Sequence, residues 1–554
     1  MHVLSGRYLT GLFRAGFFFG TLALILGGPF LLHRGDTGVL LEPDRRLVIL
    51  SPHDPQIRSE IGGAFIRKWK AATGETLEID WRIPGGSSEI FMLLKSEYLG
   101  AFRQYYEGLG LTWSAEVASA FASRSAEKGA AYGSEARAKF LASEVGIGID
   151  LLFGGGASDY QQLAEAGYLV SGSVESGTGL KAIRQLHPEW FGEKTIPESY
   201  GGERYRDAED RWVGVLLASF GIIYNTDLYE TFQGLPAPRE WPDLADPRLE
   251  GYLALADPTK SGSAAKAFEL IVQQQMLEAY QRHRAGNAPD AEGRAIEEGW
   301  LRGLELIQRL AGNARYFTDS AGKIGLGVVR GDAAAGMAID SYARVLRDYV
   351  RQADGTSRVS YVLPAHGTSL SVDPVAMLRG APNPDVATAF MTFLLSEEGQ
   401  RLWALKPGVI GGPVASALRR FPIRRDVYAG ANQNEFSEAE VNPYQRVSGF
   451  VYHPEWTQSL FPALRFMIRV ACIDSHEELR LAWRQIIRSG MNEDALKIFH
   501  DWRGASLDDV RKKVIPVLRQ RDKVGEMILA RELGQQFRER YHRAEALARS
   551  GGAP

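Results

Sequence analysis

Residues 241–263 read WPDLADPRLEGYLALADPTKSGS. Within them, Tyr252 to Ala256 is a short, mostly apolar run with the length of a buried strand. Asp257-Pro258-Thr259-Lys260 supplies turn residues, and Ser261 stands where an N-cap belongs, ahead of a long helical pattern. A buried strand that turns straight into a serine-capped helix is the repeating joint of an α/β fold. The joint recurs upstream. Leu47 to Leu50 reads as a buried strand ended by Ser51-Pro52-His53-Asp54-Pro55, with a helical pattern from Ile57 to Ala72. Thr76 to Ile83 alternates as a second strand, and Pro84-Gly85-Gly86-Ser87-Ser88 opens a helix over Glu89 to Tyr98. Ile147 to Phe153 is a third strand, closed by Gly154-Gly155-Gly156, and Gly336 to Ile339 is another that ends at Asp340-Ser341-Tyr342. Strands alternating with helices predict a parallel sheet covered on both faces.

The 554 residues suggest several domain-sized units, and 45% apolar with 24% charged residues is enough to build packed cores. A net charge of −3 argues against a nucleic-acid binder that relies on a basic face. The single cysteine, Cys472, excludes an internal disulfide and a zinc site built on several thiolates. Residues 98–146 are rich in Ala, Ser and Glu and read as a helical insertion. Beyond Lys406 the pattern is mostly helical, and the charged stretch Ser506 to Ser550 reads as solvated surface helices.

At the N-terminus, Arg7 and Arg14 precede an apolar run from Ala15 to Leu32, succeeded by His33 and Arg34. The run of 18 residues sits at the lower edge of a membrane-spanning length, and the positive charge ahead of it favours a cytoplasmic N-terminus with the chain beyond Arg34 on the far side. No A-x-A-like cleavage site ends the run. Residues 1–34 are therefore expected to form a short cytoplasmic stub and an anchor helix, with a cleaved signal peptide as the other reading.

The serine and glycine joints carry the functional reading. The first turn of a helix exposes unpaired N–H groups and partial positive charge, so such joints can hold an anionic or polar ligand. Each is also an ordinary cap site. In open α/β sheets the crevice beyond the carboxyl ends of the strands collects them. The candidate ligand residues are Ser51, His53, Ser87, Ser88, Gly155, Gly156, Ser219, Ser261, Ser263, Asp340, Ser341 and Tyr342.

Four separated segments resemble bacterial ABC-transporter extracellular solute-binding proteins, in the ferric-iron and phosphonate-type branch. They are Phe220-Gly221-Ile222-Ile223-Tyr224-Asn225-Thr226, the 241–263 stretch, Gly331-Asp332-Ala333-Ala334-Ala335-Gly336-Met337-Ala338-Ile339, and Pro382-Asn383-Pro384-Asp385 through Gly399-Gln400. The resemblance implies a periplasmic-binding-protein-like, type 2 fold of two lobes. Lobe one is expected over 46–218 with 361–410 returning to it, lobe two over 219–360, and a helical C-terminal extension over 411–554. The hinge is expected near Leu217 to Phe220 and Tyr361 to Gly367. The resemblance further implies capture of a small solute or ion between the lobes, an ABC permease as partner, and a periplasmic location. No cofactor and no catalysis are expected. Iron-binding relatives keep paired tyrosines where this chain has Ser341-Tyr342. An organic anion or phosphorus compound therefore suits the helix starts, and ferric iron on Tyr342, Asp340, Glu89 and His53 is the alternative.

Catalytic spacings are missing. His476-Glu477-Glu478 lacks the second histidine of a zinc-protease helix, and Gly325-Leu326-Gly327 lacks the third glycine of a dinucleotide loop. Neither a phosphate-loop motif nor a Gly-x-Ser-x-Gly elbow occurs. A membrane-tethered sensor that acts through a partner is the competing binding-class reading.

Overall fold

The computed structural model describes residues 42–122, 131–429, 433–438, 442–446, 449–520 and 522–550. In lobe one, β1 (Arg45–Leu50) lies parallel to both β2 (Leu77–Arg82) and β3 (Leu151–Phe153). The short β4 (Leu169–Val170) and the hairpin of β5 (Ser199–Tyr200) and β6 (Glu203–Arg204) come next. The chain then enters β7 (Val213–Asn225), a strand of 13 residues that runs from one lobe into the other. Its sequence, VGVLLASFGIIYN, is an almost continuous apolar run because both faces are covered.

Lobe two adds β8 (Leu253–Ala256), β9 (Ala314–Thr318), β10 (Ala335–Ile339) and β11 (Val359–Val362). β10 pairs antiparallel with the second half of β7 and parallel with β8, which pairs parallel with β9. β12 (Leu370–Leu378) returns to lobe one, antiparallel to β3 and to the first half of β7, and β13 (Phe421–Pro422) also pairs with β7. One sheet, ordered β2-β1-β3-β12-β7-β10-β8-β9, thus passes through both lobes. Two separate cores flank it. Leu47, Phe65, Phe153, Phe390 and Trp403 belong to the first, and Ile222, Trp241, Phe268, Trp300 and Met337 to the second.

The expected hinge positions are where the chain crosses. β7 passes Leu217–Phe220 without a break, and the return strand is tied by Trp241 Nε1, which donates to Gly367 O at 2.7 Å. At Gly221 an added Cβ would meet Val362 O and the Tyr361 ring, so glycine is needed for the close approach of the crossing strands.

Three expectations change. The third strand is confined to Leu151–Phe153, because Gly148 takes φ 70° and Gly146 packs against Gly380. Residues 411–554 are not one extension: Leu418, Phe421, Ile423 and Tyr444 join the lobe-one core, whereas residues from Phe450 onward join lobe two. The stretch 506–550 is not merely solvated. Leu533, Phe537, Tyr541, Ala544 and Ala548 fall on one face of the helix Lys523–Ser550 and are buried in lobe two.

The insertion does form helices. Ser87–Gly108 runs well past Tyr98 and is joined by Ala115–Ala122 and Ala131–Leu141, with Phe102, Phe121 and Phe140 in mutual ring contact. The apolar run Ala15–Leu32 lies outside the described residues. Among the described residues no helix is long and apolar enough to cross a membrane.

Candidate functional site

A cleft of about 1270 Å³ opens between the lobes. Strand-to-helix joints from both lobes converge on it, as the crevice rule for α/β sheets requires. From lobe one come His53 after β1, Ser87 and Ser88 at the start of the helix Ser87–Gly108, and Gly155 and Gly156 ahead of the helix Ala157–Glu165. From lobe two come Ser261 and Ser263 at the start of the helix Gly262–Ala285, and Tyr342 in the first turn of Asp340–Tyr349.

These joints differ in what they leave free. Ser261 Oγ accepts from Ala264 N at 3.3 Å and so caps its own helix. The helix at Ser87 is instead preceded by Gly86, which has no side chain to cap it. Gly154 and Gly155 take φ 93° and 114°, which lets the backbone pass close to His53 and Ser87.

Four candidates do not line the cleft. Ser51 is buried beneath it, its Oγ accepting from His53 N at 3.1 Å. Ser219 is buried within β7. The Asp340 carboxylate receives Arg344 NH2 at 2.9 Å and Ser341 N at 2.8 Å, which ties it into the base of its helix. Ser341 is buried beside it.

The alternative iron set is placed as follows. Asp340 pairs with Arg344, and the Tyr342 ring lies 5.4 Å from the Arg420 guanidinium. Among the described residues no group of three or more His, Cys, Asp or Glu side chains is arranged to hold a metal ion. His53 and Glu89 line the cleft, and Asp340 does not.

The structure adds residues that the motifs did not indicate. Arg420 lines the cleft yet is only 6% exposed, and among the described residues no carboxylate lies within ion-pairing distance of it. It sits just before β13, in a stretch without helical or strand periodicity, so only tertiary placement reveals it. Asp373 lines the cleft nearby, and burial pushes its carboxyl up to about 6, against the lowering effect of Arg420. Burial, then Arg420 and Arg58, hold His53 down at about 3, so its imidazole is neutral; among the described residues its Nε2 has no hydrogen-bond partner.

Lys266 is paired instead. It meets Glu203 at 2.9 Å and Glu269 at 3.1 Å, and their charges outweigh burial and raise its pKa. Tyr452 OH and Thr457 Oγ1 both donate to Glu269, which explains why a helix of lobe two carries buried polar residues. Glu203 belongs to the β5–β6 hairpin, so this pair joins the two lobes at one edge of the cleft.

Among curated proteins, the chain is 28% identical over 191 residues to an uncharacterized protein of Haemophilus influenzae, covering 34% of this chain and 46% of that one. It is 26% identical over 192 residues to a protein of Salmonella typhimurium named as a phosphoglycerate transport regulatory protein, covering 35% and 40%. The matches thus span less than half the length of each relative. Among solved structures, the periplasmic binding protein AfuA of Actinobacillus pleuropneumoniae aligns with 18% identity and a TM-score of 0.40, covering 65% of this chain and 81% of that one. The apo ferric ion-binding protein A of Pasteurella haemolytica aligns with 13% identity and a TM-score of 0.44, covering 78% and 98%. Residues 221–406 match the family described as bacterial extracellular solute-binding protein, and over that segment the resemblance drawn from the separated motifs is borne out.

Proposed function

We propose that this chain captures a small organic anion between its lobes, outside the cytoplasm, and passes it to an ABC-type permease. The observation that carries the reading is Arg420. A guanidinium withdrawn from water without a carboxylate in ion-pairing range is costly, and a ligand anion is the group that would offset that cost. The uncapped helix start at Ser87 adds N–H donors and partial positive charge to the same cleft. Among the described residues no hydroxyl or thiol is bonded to the free nitrogen of neutral His53, which favours binding over the nucleophile–base pair of an acyl-transfer enzyme. Ligand trapped between hinged lobes suits capture rather than turnover. The relative named as a phosphoglycerate transport regulatory protein fits an anionic solute, and its name also supports the second reading, a sensor that regulates transport through a partner.

The test is a stability and calorimetric screen of the full chain against phosphate esters, phosphonates, carboxylates, sugars and ferric chelates. An anion that binds only the folded state raises the melting temperature. Arg420→Gln is expected to weaken that ligand by at least about tenfold, the scale of a charge-assisted hydrogen bond. A response to neutral sugars alone, or anion binding untouched by Arg420→Gln, would sink the reading. Uptake that persists when the permease genes are deleted would favour sensing over delivery.

A further inference from the structure

The segment beyond residue 449 does more than fill out lobe two. Tyr452, Pro454, Gln458, Phe461 and Arg465 form a wall of the cleft, although all of them lie outside the family-matched residues 221–406. Arg465 stands on the helix Phe461–Ile468. Its Nε donates to Pro258 O at 2.6 Å and one terminal nitrogen donates to Thr259 O at 2.8 Å. These bonds pin the guanidinium against the turn that leads into Ser261 and the helix start beyond it.

A guanidinium has five N–H donors, and the two carbonyls engage only part of the set. Neutral carbonyls do not neutralise the charge. Among the described residues no carboxylate lies within ion-pairing distance of Arg465. Burial disfavours its charge by more than the fields of Asp159 and Asp257 restore. Other cations of the lining differ: Lys260 has Asp257, Lys323 has Asp319, Lys266 has Glu203 and Glu269, and Arg204 is exposed to water. Among the described residues the cleft therefore holds two sheltered arginines outside any ion pair, Arg420 beside Phe421 of the lobe-one core and Arg465 on the lobe-two wall.

Resting on the anion-capture reading above, we infer that Arg465 holds a second anionic group, and that the ligand carries two such groups, one for each arginine. Two like charges on opposite lobes oppose closure while the cleft is empty. A ligand with a single anionic group satisfies one arginine and leaves the other without a counter-charge. A ligand with anions at both ends turns the repulsion into attraction across the cleft, so its binding energy is differential between open and closed states. The competing role for Arg465 is a brace for the 258–259 turn, which its two hydrogen bonds already provide.

Calorimetry on the full chain with matched pairs separates the two roles: butyrate with succinate, propylphosphonate with 3-phosphonopropionate, and glycerol 3-phosphate with 3-phosphoglycerate. In at least one pair the two-anion member is expected to bind at least about tenfold tighter than its partner, the scale of one charge-assisted contact. Arg465→Gln is expected to erase that advantage, and Arg465→Lys, which keeps the charge, to retain part of it. If the members of every binding pair have equal affinity in the unaltered chain, the inference falls while anion capture stands. It falls equally if Arg465→Gln lowers the melting temperature and weakens both members alike, as a brace would. If no member of any pair binds, both readings fall.

Discussion

Asp373 places a titrating carboxyl beside the arginine that is to receive the ligand. Burial holds it near 6, well above the ordinary carboxylate range. A carboxyl with a raised native pKa stabilises the fold at low pH and loses that contribution as pH rises through about 6. The same ionisation puts a negative charge next to Arg420 and competes with a bound anion. Affinity for sulfate, whose own charge is constant in this range, is therefore expected to fall as pH rises through that window. Asp373→Asn should flatten the profile and raise affinity roughly tenfold near pH 8, the scale of one pKa unit. A profile identical in the two proteins would remove Asp373 from the site. His53, held near 3, contributes no charge change there. At this scale the sequence was readable where the signal was local. Ser87, Ser88, Gly155, Gly156 and Ser261 announce themselves as helix starts, whereas Arg420 and Asp373 reach the cleft through contacts between segments far apart in the chain. Ser51, Ser219 and Asp340 carried the right residue types, but which way a side chain turns is decided by packing.

Among elements, the C-terminal helices show how a charged composition can hide a core. His476–Arg488 and Lys523–Ser550 pack against Ala291–Asn313 and around one another through Trp483, Phe499, Phe537 and Tyr541. Trp483 Nε1 donates to Asn313 Oδ1 at 2.8 Å, and Asn313 in turn bonds the carbonyls of Leu244 and Asp246. Trp300 Nε1 donates to Ala505 O at 3.0 Å, a second tie between lobe two and these helices. Trp483→Ala removes a fully buried ring and leaves Asn313 short of a donor. It is expected to cost about 3–5 kcal/mol of lobe-two stability in urea unfolding, with lobe one unaffected. A loss below about 1 kcal/mol would mean the helices are only surface decoration, as residues off such features usually are. The apolar stripe every three or four residues in 533–548 was present in the sequence, but Arg and Glu between its members masked it.

For the whole molecule, the two-lobed plan came from strand and helix alternation together with the motifs, and the crossings near Leu217 and Gly367 lie where they were expected. The third change of lobe, between Tyr444 in the lobe-one core and Phe450 in the lobe-two core, was not legible, because no local motif marks it. Tyr452 N bonds Gly201 O at 2.8 Å beside it, and the Lys266–Glu203 pair closes the same edge. Two polar contacts therefore join the lobes at that edge of the cleft. A bound two-anion ligand is expected to reduce the radius of gyration measured by X-ray scattering, because it selects the closed form. An unchanged radius at saturation would show that capture needs no lobe movement.

The return of the chain to lobe two after residue 449 also bears on how the molecule is made. Domains assemble as units while synthesis proceeds from the N-terminal side. Lobe two has its sheet early, but the faces of Gly262–Ala285 and Ala291–Asn313 stay bare until the helices of 450–550 arrive to cover them. A chain cut short in that interval lacks those covering helices. It is expected to expose the apolar surface that faces Phe499 and Tyr541, and so to be cleaved by added protease faster than the full chain.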